Sequence, residues 1–113
     1  MCRDNRPESD KVLSMLGLAT RSRNVVSGGF ATENAVKSGK AYLVIVSEDA
    51  SDNTKKKFRN MCEFYEVPFY QFGEMESLGH SMGKQERTSL AVINEGFADS
   101  IQKHLEDLIS RRR

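Results

Sequence analysis

The stretch NVVSGGFATENAVKSGKAYLVIVSEDAS, Asn24 to Ser51, decides the fold. Asn24-Val25-Val26 reads as a short strand or extended connector, and Ser27-Gly28-Gly29 as the turn that opens a helix. Ala31, Ala35 and Val36 give that helix one apolar side, and Gly39 supplies its C-terminal stop. Ala41 to Val46 (AYLVIV) is a continuous apolar run between turn residues, rich in β-branched side chains. Its length and composition predict a central strand buried on both faces. Together these form one β-α-β unit with two features of functional interest. A glycine pair sits at a helix mouth, where backbone N–H groups point outward, and Glu48 and Asp49 sit at the C-terminal edge of the central strand.

Working outward toward the N-terminus, residues 1–8 are polar, carry Pro7 and have no apolar spacing, so they read as disordered. Ser9 or Asp10 can cap a first helix that carries Val12, Leu13, Leu16 and Ala19 or Thr20 on one face and ends near Arg21. Toward the C-terminus, Asp49, Ser51 and Asp52 offer caps for a third helix. Phe58, Met61, Cys62 and Tyr65 follow i, i+3, i+4, i+7 there and predict a stripe facing the sheet. Val67 to Phe72 is the next strand, with Pro68 near its start, where a missing N–H is tolerated. Gly73 to Gly83 holds a short helix between glycines, and Thr88 to Ile93 is a further strand. Asn94 caps a last helix with Phe97, Ile101, Leu105 and Leu108 as its buried stripe, and residues 110–113 form a basic tail. The alternation predicts one α/β domain over residues 9–109, a three-layer α/β/α sandwich with a four-stranded mixed sheet.

The chain has 113 residues, 38% of them apolar, enough for a single modest core. No run approaches the roughly 20 apolar residues of a membrane helix, and MCRDNRPESD has no apolar signal core. A cytoplasmic protein is the expectation. Cys2 and Cys62 make neither a disulfide framework nor a metal quartet. A net charge of +1 excludes a polycationic binder. The basic residues are unevenly placed, however: Arg21, Arg23, Lys37 and Lys40 against Glu33, then Lys55, Lys56, Lys57 and Arg59, then Arg111 to Arg113. Such blocks are solvated helix faces in most chains and phosphate-contacting patches in others.

Nothing in the sequence assembles an active site. His80 and His104 are far apart, and no H-E-x-x-H, C-x-x-C or nucleophile-elbow pattern occurs. No cofactor or metal is implied, and the expectation is a protein that is not an enzyme. Asp49 ends a strand where α/β proteins often place functional groups, yet it precedes a helix and serves equally as a cap. Cys62 lies on an apolar stripe and reads as core. Gly28-Gly29 lacks the full G-x-G-x-x-G pattern and the P-loop lysine. It is either a plain turn or a helix N-terminus bare enough to hold an anion.

Seven segments add a further reading: LGLATR (Leu16–Arg21), VVSG (Val25–Gly28), AVKSGKAYLVIVSEDAS (Ala35–Ser51), NTKKK (Asn53–Lys57), YEVPFY (Tyr65–Tyr70), ESLGHSMGK (Glu76–Lys84) and INEGFA (Ile93–Ala98). In this order they resemble the L-seven-Ae ribosomal protein superfamily, in particular its small bacterial YlxQ-type members. The resemblance implies an α/β/α sandwich that binds RNA, typically a kink-turn, often within a ribonucleoprotein. It places the RNA site at the N-terminus of the second helix, where Gly28 matches the glycine of a Gly-Thr-Asn-Glu-type motif. Gly29, Phe30 and Ala31 then hold the Thr, Asn and Glu positions, and Asn34 stands where a lysine is usual. Lys84, Gln85, Glu86, Arg87 and Thr88 correspond to a loop that clamps a flipped-out base.

The departures alter the expected chemistry. Phe30 and Ala31 cannot hydrogen-bond guanine edges as Asn and Glu do. The apolar clamp has become polar and long, and the turn that is commonly Gly-Lys is Arg23-Asn24. Arg21, Arg23, Lys37, Lys40, Lys84 and Arg87 can substitute phosphate contacts, which read shape rather than sequence. Phe30 either stacks on an unpaired base or turns into the core. RNA binding is therefore the leading expectation, with a protein-interaction module on the same fold as the alternative.

Overall fold

The computed structural model describes residues 8–111. Its elements, in chain order, are α1 (Glu8–Arg21), β1 (Val25–Ser27), α2 (Gly29–Lys37), β2 (Leu43–Val46), α3 (Asp52–Tyr65), β3 (Phe69–Gln71), α4 (Met75–Ser81), β4 (Ser89–Val92) and α5 (Glu95–Arg111). The predicted alternation of helices and strands is present, and the architecture is the expected α/β/α sandwich.

β2 shows why the chain folds this way. Leu43, Val44, Ile45 and Val46 are all fully buried, and successive strand residues point to opposite faces. Leu43 and Ile45 join Val12, Leu16, Leu78, Leu90, Ile101 and Leu105 in one core, beneath α1, α4 and α5. Val44 and Val46 join Val36, Phe58, Cys62 and Ala91 in the other, beneath α2 and α3. A strand with apolar residues at every position is what two cores require. Truncating Ile45 to alanine would open a cavity at a cost of about 2–5 kcal/mol.

The sheet order is β1-β4-β2-β3. β4 is antiparallel to both neighbours, so Ala91 lies opposite Val26 on one side and Val44 on the other. β3 adds to β2 in parallel, with Ile45 opposite Tyr70. The β1-α2-β2 unit is therefore split: its two strands run in the same direction with β4 inserted between them.

Several boundaries and contacts differ from the sequence reading. The three longer strands are shorter than predicted; Ala41 and Tyr42 lie outside β2, although the Tyr42 N–H still donates to the Val92 carbonyl at 2.8 Å. α1 begins at Glu8, which places Ser9 and Asp10 inside the helix rather than at its cap, and α5 runs on through Ser110 to Arg111. Residues 1–7 of the expected disordered segment, with Cys2, and Arg112-Arg113 of the tail lie outside the described residues. Tyr65 leaves the predicted stripe: Phe58 and Cys62 are buried and Met61 half-buried, but Tyr65 is 41% exposed and meets the ring of Phe64 edge-on at 4.9 Å. The reason is the helix end. Glu66 takes a left-handed conformation (φ 58°, ψ 45°) and turns the chain away within one residue of Tyr65.

The caps are local where the sequence showed them. The Ser51 hydroxyl accepts from the Thr54 N–H and starts α3, and Asn94 Oδ1 accepts from the Phe97 N–H to start α5. Asp49 does cap a helix, but α4 rather than α3: its Oδ1 accepts from the Met75 N–H at 3.0 Å. That bond holds the Asp49 carboxyl below the usual carboxylate range. Among the described residues no helix is long and apolar enough to cross a membrane.

Candidate nucleic-acid interface

The mouth of α2 is built from backbone. Gly28 has φ 94° and ψ 156°, a conformation that only glycine adopts without strain. Its N–H donates to the Ser89 carbonyl at 2.9 Å, fastening the turn to β4, and its carbonyl accepts from the Thr32 N–H. No side chain caps the helix. The N–H groups of Gly29, Phe30 and Ala31, which an α-helix leaves without acceptors of its own, therefore open outward at the positive end of the helix dipole. A Cβ added at Gly28 or Gly29 would meet nothing within 4 Å, so the space beside the two glycines is open.

Phe30 is 82% exposed, which decides between its two possible placements: the ring stands outside the core. Ala31 is half-buried and Asn34 exposed. Beside them the chain before β4 forms the second wall. Lys84, Gln85 and Glu86 are exposed, and Arg87 and Thr88 half-buried. The Lys84 N–H donates to the Gly79 carbonyl and the Arg87 N–H to the Met75 carbonyl, binding the loop along α4. Arg87 then reaches across: Nε donates to Ser27 Oγ at 3.2 Å, while Nη1 donates to the carbonyls of Gln85 and Glu86. The structure thus brings Gly28, Gly29, Phe30, Ala31 and Lys84 to Arg87 to one end of the sheet.

The other predicted basic residues are distributed differently. Arg23 precedes β1, whereas Gly28 follows it, so the strand separates them. Arg23 closes α1 in a left-handed conformation, with φ 64°, where glycine is usual. Arg21 lines a hollow between α1 and α4 with Gly17, Ser77 and His80. Lys37 is engaged: its Nζ lies 2.7 Å from Glu33 Oε2, and Lys57 Nζ lies 2.9 Å from Glu33 Oε1. Hydrogen bonds from Lys37 and then Lys57 hold the Glu33 carboxyl at about 2, and the pairing raises Lys37 in turn. Lys40 lies past the far end of α2. Lys55, Lys56 and Arg59 line a hollow with Asp52, Asn60 and Gln71, on the side of α3 toward the edge strand β3.

His80 is on α4 and His104 on α5, and among the described residues no three histidines, cysteines or acids are placed to hold a metal. Cys62 is buried as expected, and burial pushes its thiol up to about 11, which keeps it unreactive at neutral pH.

Three contacts that matter here were not read from the sequence. Gly79 is the closest: a Cβ there would lie 2.0 Å from the Gln85 carbonyl oxygen, so glycine permits the loop to seat on α4. A glycine inside a seven-residue helix was the available signal. Ser27, the partner of Arg87, carried no local signal. The Glu33–Lys37 pair has i, i+4 spacing and was legible in principle; the addition of Lys57 was not.

Known proteins resemble this chain in sequence and in fold. The chain is 41% identical over 87 residues to the RNA-binding protein YlxQ of Bacillus subtilis, covering 77% of this chain and 87% of the relative. It is 30% identical over 102 residues to the protein of the same name from Enterococcus faecium, covering 90% and 98%. It is also 27% identical to the large ribosomal subunit protein eL30 of Tetrahymena thermophila, covering 82% and 91%. Among solved structures, a Bacillus halodurans protein of unknown function superposes with a TM-score of 0.83 at 38% identity, covering 85% of this chain and 97% of that one. The Giardia lamblia 15.5kD RNA binding protein shares the fold, with a TM-score of 0.76 at 19% identity, covering 94% and 91%. The model of the ribosomal protein L7Ae/L30e/S12e/Gadd45 family matches residues 10–102, and the chain belongs to that family.

Proposed function

We propose that this protein is a non-enzymatic binder of structured RNA, of the sharply bent kink-turn kind, acting in a ribosome-associated setting in the cytoplasm. The observation that carries the reading is the uncapped mouth of α2, fastened to β4 through Gly28 and walled by the Lys84–Thr88 loop. Family membership and the RNA-binding names of its relatives supply the class of ligand.

The mechanism follows from what the site offers. Free N–H groups at a positive helix end donate to a phosphate, and the absence of side chains at Gly28 and Gly29 lets a backbone come close. Lys84 adds an exposed cation at the rim, and Arg87 positions the loop. Neither Phe30 nor Ala31 can read a guanine edge, so selectivity comes from the shape of a bent backbone and from stacking on the Phe30 ring.

The test is a titration of a fluorescent kink-turn RNA beside a straight duplex of equal length, each at two salt concentrations. Tight, salt-sensitive binding to the kink-turn alone is expected. Equal binding to both would leave a general phosphate-contacting protein. Binding to neither would defeat the reading and turn attention to protein docking, for which the exposed Phe64–Tyr65 pair is the candidate surface.

A further inference from the structure

A hollow of about 310 Å³ lies on the outer flank of α2, against β1 at the edge of the sheet. Its floor is apolar, from Val26, Ala35 and Ile93; Phe30 forms one wall, and Asn34 and Lys40 supply its polar rim. The size is at the lower end for a small-molecule site, suited to one flat ring rather than a larger ligand.

We infer that this hollow receives a single unstacked nucleobase of the bound RNA, an inference that rests on the RNA-binding reading above. Phe30 lines the hollow yet is 82% exposed, so its ring is available to an incoming π-face rather than packed against its own core. Asn34 follows one helical turn later, on the same side of α2. Its exposed side-chain amide offers both a donor and an acceptor to the edge of a base lying on that ring, a pairing well matched to adenine. Phosphates on either side of the base find positive charge at both ends of the helix: the free N–H groups at Gly29 to Ala31, and the Lys40 ammonium beyond the C-terminus. The floor, the ring, the amide and the two positive ends thus match the base face, base edge and backbone of one nucleotide. An apolar side chain from a protein would use only the floor. Phe30 and Asn34, two of the departures from the family motif, both line this receptacle.

The experiment is isotope-edited NMR of the full chain with the kink-turn RNA of the salt titration, together with the affinity of Phe30→Leu and Asn34→Ala. Intermolecular contacts are expected between base protons and both the Phe30 ring and the methyl groups of Val26 and Ile93. Phe30→Leu, at an exposed position that leaves the core intact, is expected to weaken binding tenfold or more. RNA binding that shifts the Gly28 and Gly29 amides but gives no contact to Phe30, Val26 or Ile93, or an unchanged affinity in Phe30→Leu, overturns the nucleobase site while the RNA-binding reading stands. Failure of the unmodified protein to bind the RNA removes both.

Discussion

Arg87 Nε donates to Ser27 Oγ at 3.2 Å, across 60 residues of chain, and this bond joins the loop before β4 to the last residue of β1, just ahead of the α2 mouth. The same guanidinium also bonds the carbonyls of Gln85 and Glu86, so one side chain shapes the loop and sets its distance from the helix mouth. Arg87→Ala should therefore leave the thermal midpoint nearly unchanged, because neither core loses a contact. Hydrogen exchange of the Gln85 and Glu86 amides should rise, and RNA affinity should fall by about fivefold, the worth of roughly one hydrogen bond. Arg87→Lys separates the contributions of charge and geometry. Lysine keeps the cation but loses the planar fork, so it should restore little of the affinity. Full restoration by lysine would show that Arg87 acts only as a charge.

Gly79 gives a steric route to the same loop. The Cβ of Gly79→Ala would lie 2.0 Å from the Gln85 carbonyl oxygen and 2.6 Å from its carbon, both backbone atoms that no rotamer change can move. The loop must lift from α4, and the strain should cost about 1–3 kcal/mol. Chemical denaturation measures the cost. Chemical-shift changes confined to α4 and residues 84–88 would show that the loop, not the sheet, absorbs it. A variant with unaltered stability and an unaltered loop would contradict the seating described.

Glu33 carries a pH prediction. Its carboxylate is shared between Lys37 and Lys57 and titrates at about 2 rather than at its ordinary 4.5. A carboxyl lowered in the folded state contributes stability above its unfolded value and loses it as pH falls toward the folded one. The contribution of Glu33 should therefore be complete above about pH 4.5 and fade as pH falls toward 2. Carbon-detected NMR should place its titration midpoint near 2, and Lys57→Ala should move that midpoint upward. Comparing the acid limb of thermal unfolding with Glu33→Gln isolates the linked part, which should shrink with added salt because both ion pairs are open to solvent.

Most of the fold was legible because its signals are local. AYLVIV announced a doubly buried strand, Ser51 and Asn94 announced helix starts, and Gly28 and Gly39 fall where the chain takes positive φ. What the sequence withheld depends on which segments meet. Nothing in TSLAVI says that β4 inserts between β1 and β2, since strand pairing is settled by both cores together. Asp49 reads equally well as a cap for the helix that follows it, and only the return of the chain at Gly73 brings Met75 to its carboxylate. The site divides in the same way. The helix mouth was visible in Ser27-Gly28-Gly29, whereas the Arg87–Ser27 tie and the outward setting of Phe30 depend on tertiary packing.

Glu66 offers a test of the backbone argument away from any RNA surface. It closes α3 at φ 58°, with the Val67 N–H donating to the Cys62 carbonyl at 2.8 Å, and so takes the left-handed position that glycine usually fills. A side chain in that region costs about 1–2 kcal/mol, and glycine removes the cost while adding freedom to the unfolded chain. Glu66→Gly should therefore stabilise the protein by a net amount of about 0.5–1 kcal/mol, raising the thermal midpoint by a few degrees. RNA affinity should not change, because Glu66 lies at the end of α3, outside the cluster formed by the α2 mouth and the 84–88 loop. Glu66→Ala separates charge from conformation: it removes the carboxylate but keeps the Cβ, and should give none of the gain. Equal stabilisation by alanine and glycine would mean that relief of charge, not of backbone strain, is responsible.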